Sequence, residues 1–338
     1  MSTQFKATIP HKTQRHLEWS RLCEALAERC RGEPAQHRAI ELSVATTMRD
    51  ARKQLQYIDE ARALLDDGER PPIGQPVDLT SALARAQRGG VLTSESLCQI
   101  AALINNSVDC AKFFKRYQDD YPELADLGVG LTERRDVASD IQGCFDAEGG
   151  ISDFASGDLR ETRQRVRAMQ GQLKERVEGL LKDESLSDML QDDFYTLRDD
   201  RYVLPVKSGH KRHVDGIVHG WSSSGATVFI EPQVVIEANN RLRMAQAEEK
   251  QEVHRILTRL SRRVAKMVND LRQSQEALIS FDFLFACAQL SQDLDCTSPH
   301  LGTEPHLHLP TARHPLLALN EINVVPNDIE LGGDQGSV

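Results

Sequence analysis

A mainly α protein, with a helical core and a long antiparallel coiled-coil lever carrying a small antiparallel β element at its tip, is predicted by three observations in this 338-residue sequence. Apolar residues recur at helical spacing through the N-terminal part. Two series stepping by three and four flank a central block. That block alone is rich in β-branched and aromatic residues separated by turn residues.

The elements follow in order. From Leu17 to about Leu65 and from Ser94 to about Phe114, apolar positions keep helical spacing with long charged side chains between them, and Val, Ile and Tyr are sparse. Pro71, Pro72, Gly74 and Pro76 make Gly68 to Asp78 a loop between helical groups, and Gly149-Gly150 marks a second break, so residues 1–157 read as a helical core. Leu159, Thr162, Val166, Met169, Leu173, Val177 and Leu180 form the first series. Val253, Leu257, Leu260, Val264, Met267, Leu271, Leu278, Phe281 and Phe285 form the second, with Ser274 weak at its place. A mean step near ~3.5 residues predicts two helices packed side by side, 158–193 ascending and 241–298 descending. Between them, 194–240 carries strand-like runs divided by Asp199-Asp200, Ser208 to His213 and Ser222 to Gly225. A sheet inserted between antiparallel helices belongs at the far end of the arm they form. Roughly 40 to 50 residues per helix would make that arm ~60 to 75 Å long. Pro299, Gly302, Pro305, Pro310, Pro315 and Pro326 end the periodicity, and 299–338 reads as a linker and the opening of a further domain without a body.

Composition excludes several classes. Charged residues make up 27% of the chain and no run approaches the ~18 apolar residues of a spanning helix, so no membrane partner is expected. No basic segment followed by an apolar stretch and a small-residue cleavage site opens the chain, and the expected location is cytoplasmic. Seven cysteines without a C-x-x-C pair read as reduced, mostly buried thiols; Cys23 and Cys30, seven apart, read as structural thiols on one helical face.

The net charge of −10 is unevenly distributed. Between Arg241 and Arg272 nine Lys or Arg face four acids, an excess of +5 that leaves −15 for the remainder. Arg241, Arg243, Arg255, Arg259, Arg262 and Arg263 thus offer a basic helix face, though a solvated coiled-coil flank would look the same. In the central block, Lys207, His210, Lys211, Arg212 and His213 cluster without an acid on what reads as a hairpin turn, an exposed place for phosphate contact.

The remaining motifs argue against catalysis. His306 with His308, and His210 with His213, lack a Cys or carboxylate at ligand spacing, so no metal site is expected. Ser222-Ser223-Ser224-Gly225 lacks the second glycine of a nucleophile elbow and reads as a hairpin loop whose hydroxyls and amides face phosphate. The pattern G-x-x-x-x-G-K-[ST] is absent, so no P-loop, catalytic residue or cofactor is expected here. Residue by residue, the sequence reaches a lever-and-tip binding module.

The blocks Leu197-Arg198-Asp199-Asp200-Arg201-Tyr202-Val203-Leu204-Pro205-Val206-Lys207, Gly216-Ile217-Val218-His219, Ser224-Gly225-Ala226-Thr227-Val228-Phe229-Ile230-Glu231-Pro232 and Asn239-Asn240-Arg241-Leu242-Arg243 strongly resemble the MutS family, in particular its second bacterial type, MutS-II. Ala312-Arg313-His314-Pro315-Leu316-Leu317 and Val325-Pro326-Asn327-Asp328-Ile329-Glu330-Leu331-Gly332 match the stretch leading into that family's ATPase domain, and weaker likeness reaches back to Leu17-Glu18-Trp19. The resemblance implies a clamp domain at 194–240, carried by the lever and gripping duplex or branched DNA through its backbone. Lys207, Lys211 and Arg212 would be contacts. MutS-II proteins lack the mismatch-reading domain; they are linked to DNA repair and recombination suppression and, in some bacteria, to rescue of collided ribosomes.

ATP and Mg serve the parent family's ATPase domains, which also form its main dimer contact. In this chain, truncated before that loop and lacking the small nuclease-like domain, no enzyme activity is expected and homodimerisation should be weak or absent. Val324 stands where the family places a residue near the nucleotide base, without a P-loop beside it. Phe229-Ile230-Glu231 spells the family's base-wedging Phe-x-Glu motif, but a β context makes Phe229 sheet core instead. Trp221 departs from the usual acidic or polar residue at its position. The competing functions are a clamp on ribosomes or structured RNA, and a non-catalytic coiled-coil scaffold.

Overall fold

The structure is a computed structural model that describes residues 10–303, 306–320 and 323–332; Pro305 and everything after Gly332 in the sequence-predicted linker lie outside the described residues. It is mainly α with small antiparallel sheets. In chain order the helices α1 His11–His16, α2 Trp19–Ala27, α3 Glu33–Ile40, α4 Met48–Asp66, α5 Thr80–Gln87, α6 Ser94–Arg116, α7 Pro122–Gly128 and α8 Arg135–Gln142 come first. Then follow α9 Gly157–Leu181, α10 Glu184–Ser187, β1 Thr196–Arg198, β2 Arg201–Lys207, a 3-10 helix Ser208–His213, β3 Gly216–Trp221 and β4 Thr227–Pro232. After these come α11 Gln233–Ala265, α12 Val268–Asp293, β5 His306–Ala312, α13 Pro315–Leu319 and β6 Asn327–Gly332. The chain divides into two compact units, Met1–Ile141 with Ser261–Val338, and Gln142–Leu260.

In the first unit α12 is the axis, with buried side chains on nearly every side, because α2 to α6 all contact it. Phe281 stacks on Phe114 with ring centroids 4.1 Å apart. Ser274, the weak member of the apolar series, is buried and accepts a hydrogen bond from Thr132 N at 2.9 Å. Asp282, also buried, accepts from Arg31 N at 3.0 Å and Gly32 N at 2.8 Å, which supplies the start of α3 with the acceptor that Gly32 at its N-cap lacks. Burial holds the Asp282 carboxyl above the usual carboxylate range despite these donors. None of the seven cysteines is in a disulfide. Burial pushes Cys30, Cys110 and Cys287 up to about 12, as expected for inert structural thiols. Cys23 and Cys30 do not share a helix, however: α2 ends at Ala27 and Cys30 lies beyond it.

In the second unit α9 and α11 run antiparallel, as the ion pairs between them require: Arg163 with Glu249 at 2.9 Å, Arg165 with Glu248, and Arg255 with Asp158 at 3.8 Å. Leu159, Thr162, Val166, Leu173 and Val177 are the buried members of the first series. Val166, Leu173 and Val177 join Leu204, Val206, Val228, Ile230, Val235 and Leu242 in one core, so one face of the sheet packs on the helices. The sheet is antiparallel with strand order β1-β2-β4-β3, and Leu204 opposes Ile230 while Val206 opposes Val228. Asp199 and Asp200, both with positive φ (49° and 61°), close the β1–β2 hairpin as a two-residue turn that matches the strand twist.

Several sequence expectations need correction. The ascending helix ends at Leu181, not 193, because Asp183 caps the short α10 through Ser185 N and Leu190 then bridges Val206. The descending helix begins at Gln233, directly after β4, so 233–240 is helical. It also breaks at Met267, whose N–H turns to Val264 O and whose φ/ψ of −127°/21° leaves the helical range. With 25 and 33 residues, α9 and α11 are about 38 and 50 Å long, shorter than the predicted arm. The segment after Asp295 contains a two-stranded sheet, β5 with β6, where irregular chain was expected. Phe229 is half-buried on the sheet face away from the core, with the Arg198 guanidinium 4.2 Å from its ring centroid; strand parity puts Val228 and Ile230, not Phe229, toward the helices.

Candidate nucleic-acid interface

Glu231 on β4 organises the second unit. Its fully buried carboxylate receives Arg201 Nη1 at 2.7 and 3.0 Å, Asn239 Nδ2 at 2.8 Å and His219 Nε2 at 2.7 Å. Arg201 also donates to Asn240 Oδ1 at 2.7 Å, and Asn239 exchanges hydrogen bonds with the backbone of Tyr202. Strands β2, β3 and β4 and the start of α11 therefore meet on one carboxylate. A buried carboxylate is tolerated because donors surround it. Gly216 lets β3 approach, since a Cβ there would strike Glu231 O. The motif residues Arg201, Tyr202, His219, Glu231, Asn239 and Asn240 are thus a structural lock. Their meeting was not legible from spacing, because Arg201 and Asn240 lie 39 residues apart.

Lys207 lies at the opposite end of the sheet from this lock, facing Thr227. Because β4 lies between β2 and β3, the basic segment Ser208–His213 is a crossover and not the predicted hairpin turn. The β3–β4 connection at Ser222–Gly225 is the hairpin, with Gly225 at φ 71°. Lys207 opposes Thr227 and Ser208 N donates to Ala226 O at 2.9 Å, which brings the two segments together. Lys207, His210, Lys211, Arg212 and His213 are all exposed. Among the described residues no carboxylate lies within ion-pair distance of any of them. Lys207 Nζ donates to Asp188 O at 3.0 Å, and the His210 and His213 rings lie 5.9 Å apart. Lys211 Nζ sits 5.0 Å from the ring centroid of Trp221, which is 52% exposed; this gives the unexplained Trp221 a place in the basic end. Ser222 Oγ accepts from Thr227 N at 3.0 Å and Ser224 Oγ from Ala226 N at 3.4 Å, so these hydroxyls shape the loop. Ser223 is exposed at its tip.

The helix cations differ. Arg241 pairs with Glu237, Arg255 with Glu252 and Asp158, and Arg263 with Asp136 and Asp140, while Arg259 donates to Cys144 Sγ. Arg243 and Arg262 are exposed, and Arg243 lies on the other side of the helix from Arg241. Half of the basic helix face, Arg241, Arg255 and Arg263, is therefore paired with neighbouring acids. His306 and His308, read from spacing as lacking a carboxylate partner, have Glu330 beside them across the β5–β6 pair.

No protein-family model matches the chain. Among curated proteins it is 38% identical over 333 residues to the endonuclease MutS2 of Geobacillus thermodenitrificans and 34% identical over 333 residues to that of Bacillus velezensis, in each case across 98% of this chain and 42% of the relative. A putative endonuclease MutS2 of Bacillus subtilis is 34% identical over 325 residues, 95% of this chain and 41% of its own. The chain thus spans about two-fifths of the length of the relatives it matches. Over nearly its whole length, then, the chain is similar to part of these MutS2 proteins.

Proposed function

We propose that the second unit is the clamp and lever of a MutS2-type protein, gripping duplex or branched DNA through phosphates in recombination control or DNA repair. The observation that carries this reading is the contrast in charge pairing. Arg241, Arg255 and Arg263 on α11 pair with acids, whereas Lys207, Lys211 and Arg212 stand exposed and clustered, with no described carboxylate in ion-pair reach, at the end of a sheet braced by Glu231. Such a surface attracts phosphate without reading bases. In this reading α9 and α11 form the coiled-coil lever, and this chain supplies gripping and not hydrolysis, having no G-x-x-x-x-G-K-[ST] loop. The nuclease in the relatives' name, and the family's ATP and Mg, are assigned outside these residues.

Anisotropy titration with a four-way DNA junction at two salt concentrations tests the reading. Binding should weaken steeply with salt, and the Lys207→Ala, Lys211→Ala, Arg212→Ala triple variant should lower the slope of log K against log salt by roughly 2 to 3. A parallel triple variant of Arg241, Arg255 and Arg263 should change affinity by less than about twofold at fixed salt. Equal losses in both variants would overturn the assignment.

Trp221 favours a second reading, in which the same end engages ribosomal or other structured RNA, because an exposed indole beside a Lys suits stacking of unpaired bases. Trp19 and Trp221 are the two tryptophans, so a Trp19→Phe chain reports on Trp221 alone. Fluorescence quenching by ribosomes that four-way junctions fail to reverse selects this reading over the first.

A further inference from the structure

We propose that His306, His308 and Glu330 form a binding site for a zinc-class divalent transition-metal ion, held by two imidazole nitrogens and one carboxylate oxygen with water completing its shell. Strand geometry builds the site. His306 and His308 are two residues apart on β5 and so project from one face, and the register sets Glu330 of β6 directly opposite His308. Gly332 opposes His306 and places no side chain in the way. The ligand atoms all lie within 4.8 Å of one another, with His306 Nε2 3.8 Å from Glu330 Oε1, and the two rings stand nearly parallel at 25° with centroids 6.2 Å apart. Bonds of about 2.0 to 2.2 Å around a tetrahedral ion put ligand atoms about 3.4 Å apart, so capture requires the exposed side-chain ends to close by only about 1 Å.

The chemistry selects the ion. Two neutral imidazoles with one carboxylate suit zinc, copper, nickel or cobalt better than calcium or magnesium, which favour all-oxygen shells. Leu307, Leu309, Ile329 and Leu331 occupy the opposite face of the strand pair, which leaves the donors together on a polar face open to solvent. Bound metal would tie β5 to β6 and stabilise that pair by mass action. Nothing in this site depends on the nucleic-acid reading.

The experiment is a cobalt titration of the purified 338-residue chain in a Cys296→Ser background, because Cys296 is exposed and a competing soft ligand. Visible d–d bands saturating at one equivalent and abolished by excess zinc are expected. His306→Ala, His308→Ala and Glu330→Gln should each weaken cobalt binding by more than about tenfold, with an unchanged far-ultraviolet circular dichroism spectrum because all three side chains are exposed. A saturating spectrum that survives the His306→Ala, His308→Ala double variant would overturn the proposal. So would the absence of any saturable band in the parent chain.

Discussion

Glu231 concentrates the energetics of the second unit in one side chain. Removing one partner of a buried ion pair leaves the other uncompensated, so Glu231→Ala should cost about 3 to 5 kcal/mol in urea denaturation. Arg201 and Asn239 then lose a shared acceptor. Asp282 gives a pH signature. Its folded-state pKa is raised by burial above the usual 3.8, so the folded chain binds its proton more tightly than the unfolded chain. Its contribution is most favourable below about pH 3.8 and is lost as pH rises through the folded pKa, then stays level. Asp282→Asn should abolish that fall when unfolding free energy is followed by denaturant titration at stepped pH. An undiminished fall in the variant would assign it to other groups. At this scale the sequence identified the cations Lys207, Lys211 and Arg212. It did not reveal which arginines are neutralised, because Arg165–Glu248 and Arg263–Asp136 join residues far apart in the chain.

At the scale of elements, the apolar series on α9 named its buried face, since Leu159, Val166, Leu173 and Val177 all lie in the interior. Leu173→Ala, which empties space in the shared core of sheet and helices, should destabilise by about 2 to 5 kcal/mol. Arg165→Ala removes only an exposed inter-helix pair and should change stability by less than about 1 kcal/mol in the same assay. If the two effects are comparable, the helices are held by charge and not by burial. The strands were legible from β-branched runs and from Asp199-Asp200, but strand order was not. Placing β4 between β2 and β3 depends on which residues cover the helices, and this turned an apparent basic hairpin into a crossover. Helix ends were read least well. Asp183 capping and the bond from Met267 N to Val264 O are local geometries that a periodic pattern passes over.

For the molecule as a whole, a net charge of −10 is compatible with the proposed phosphate-binding end because the local arrangement of charges, not their total, sets the local potential. Under the proposed reading, the 338 residues bind a DNA junction and hydrolyse no ATP, checked by phosphate release from the purified protein with and without DNA. Measurable turnover would place hydrolysis within these residues and contradict the assignment made from the absent G-x-x-x-x-G-K-[ST] pattern. Among the described residues no helix is long and apolar enough to cross a membrane.

The sequence by itself determined the mainly helical class, the buried face of α9, the inserted sheet and the resemblance to MutS-II proteins. Each of these depends on local periodicity or on contiguous motifs. Tertiary structure decided what the motifs are for. Glu231 gathers Arg201, His219 and Asn239 into a lock, the basic crossover meets the Ser222–Gly225 loop, and Glu330 arrives beside His306 and His308. These are contacts between residues far apart in the chain, set by strand order and register, which linear spacing does not encode.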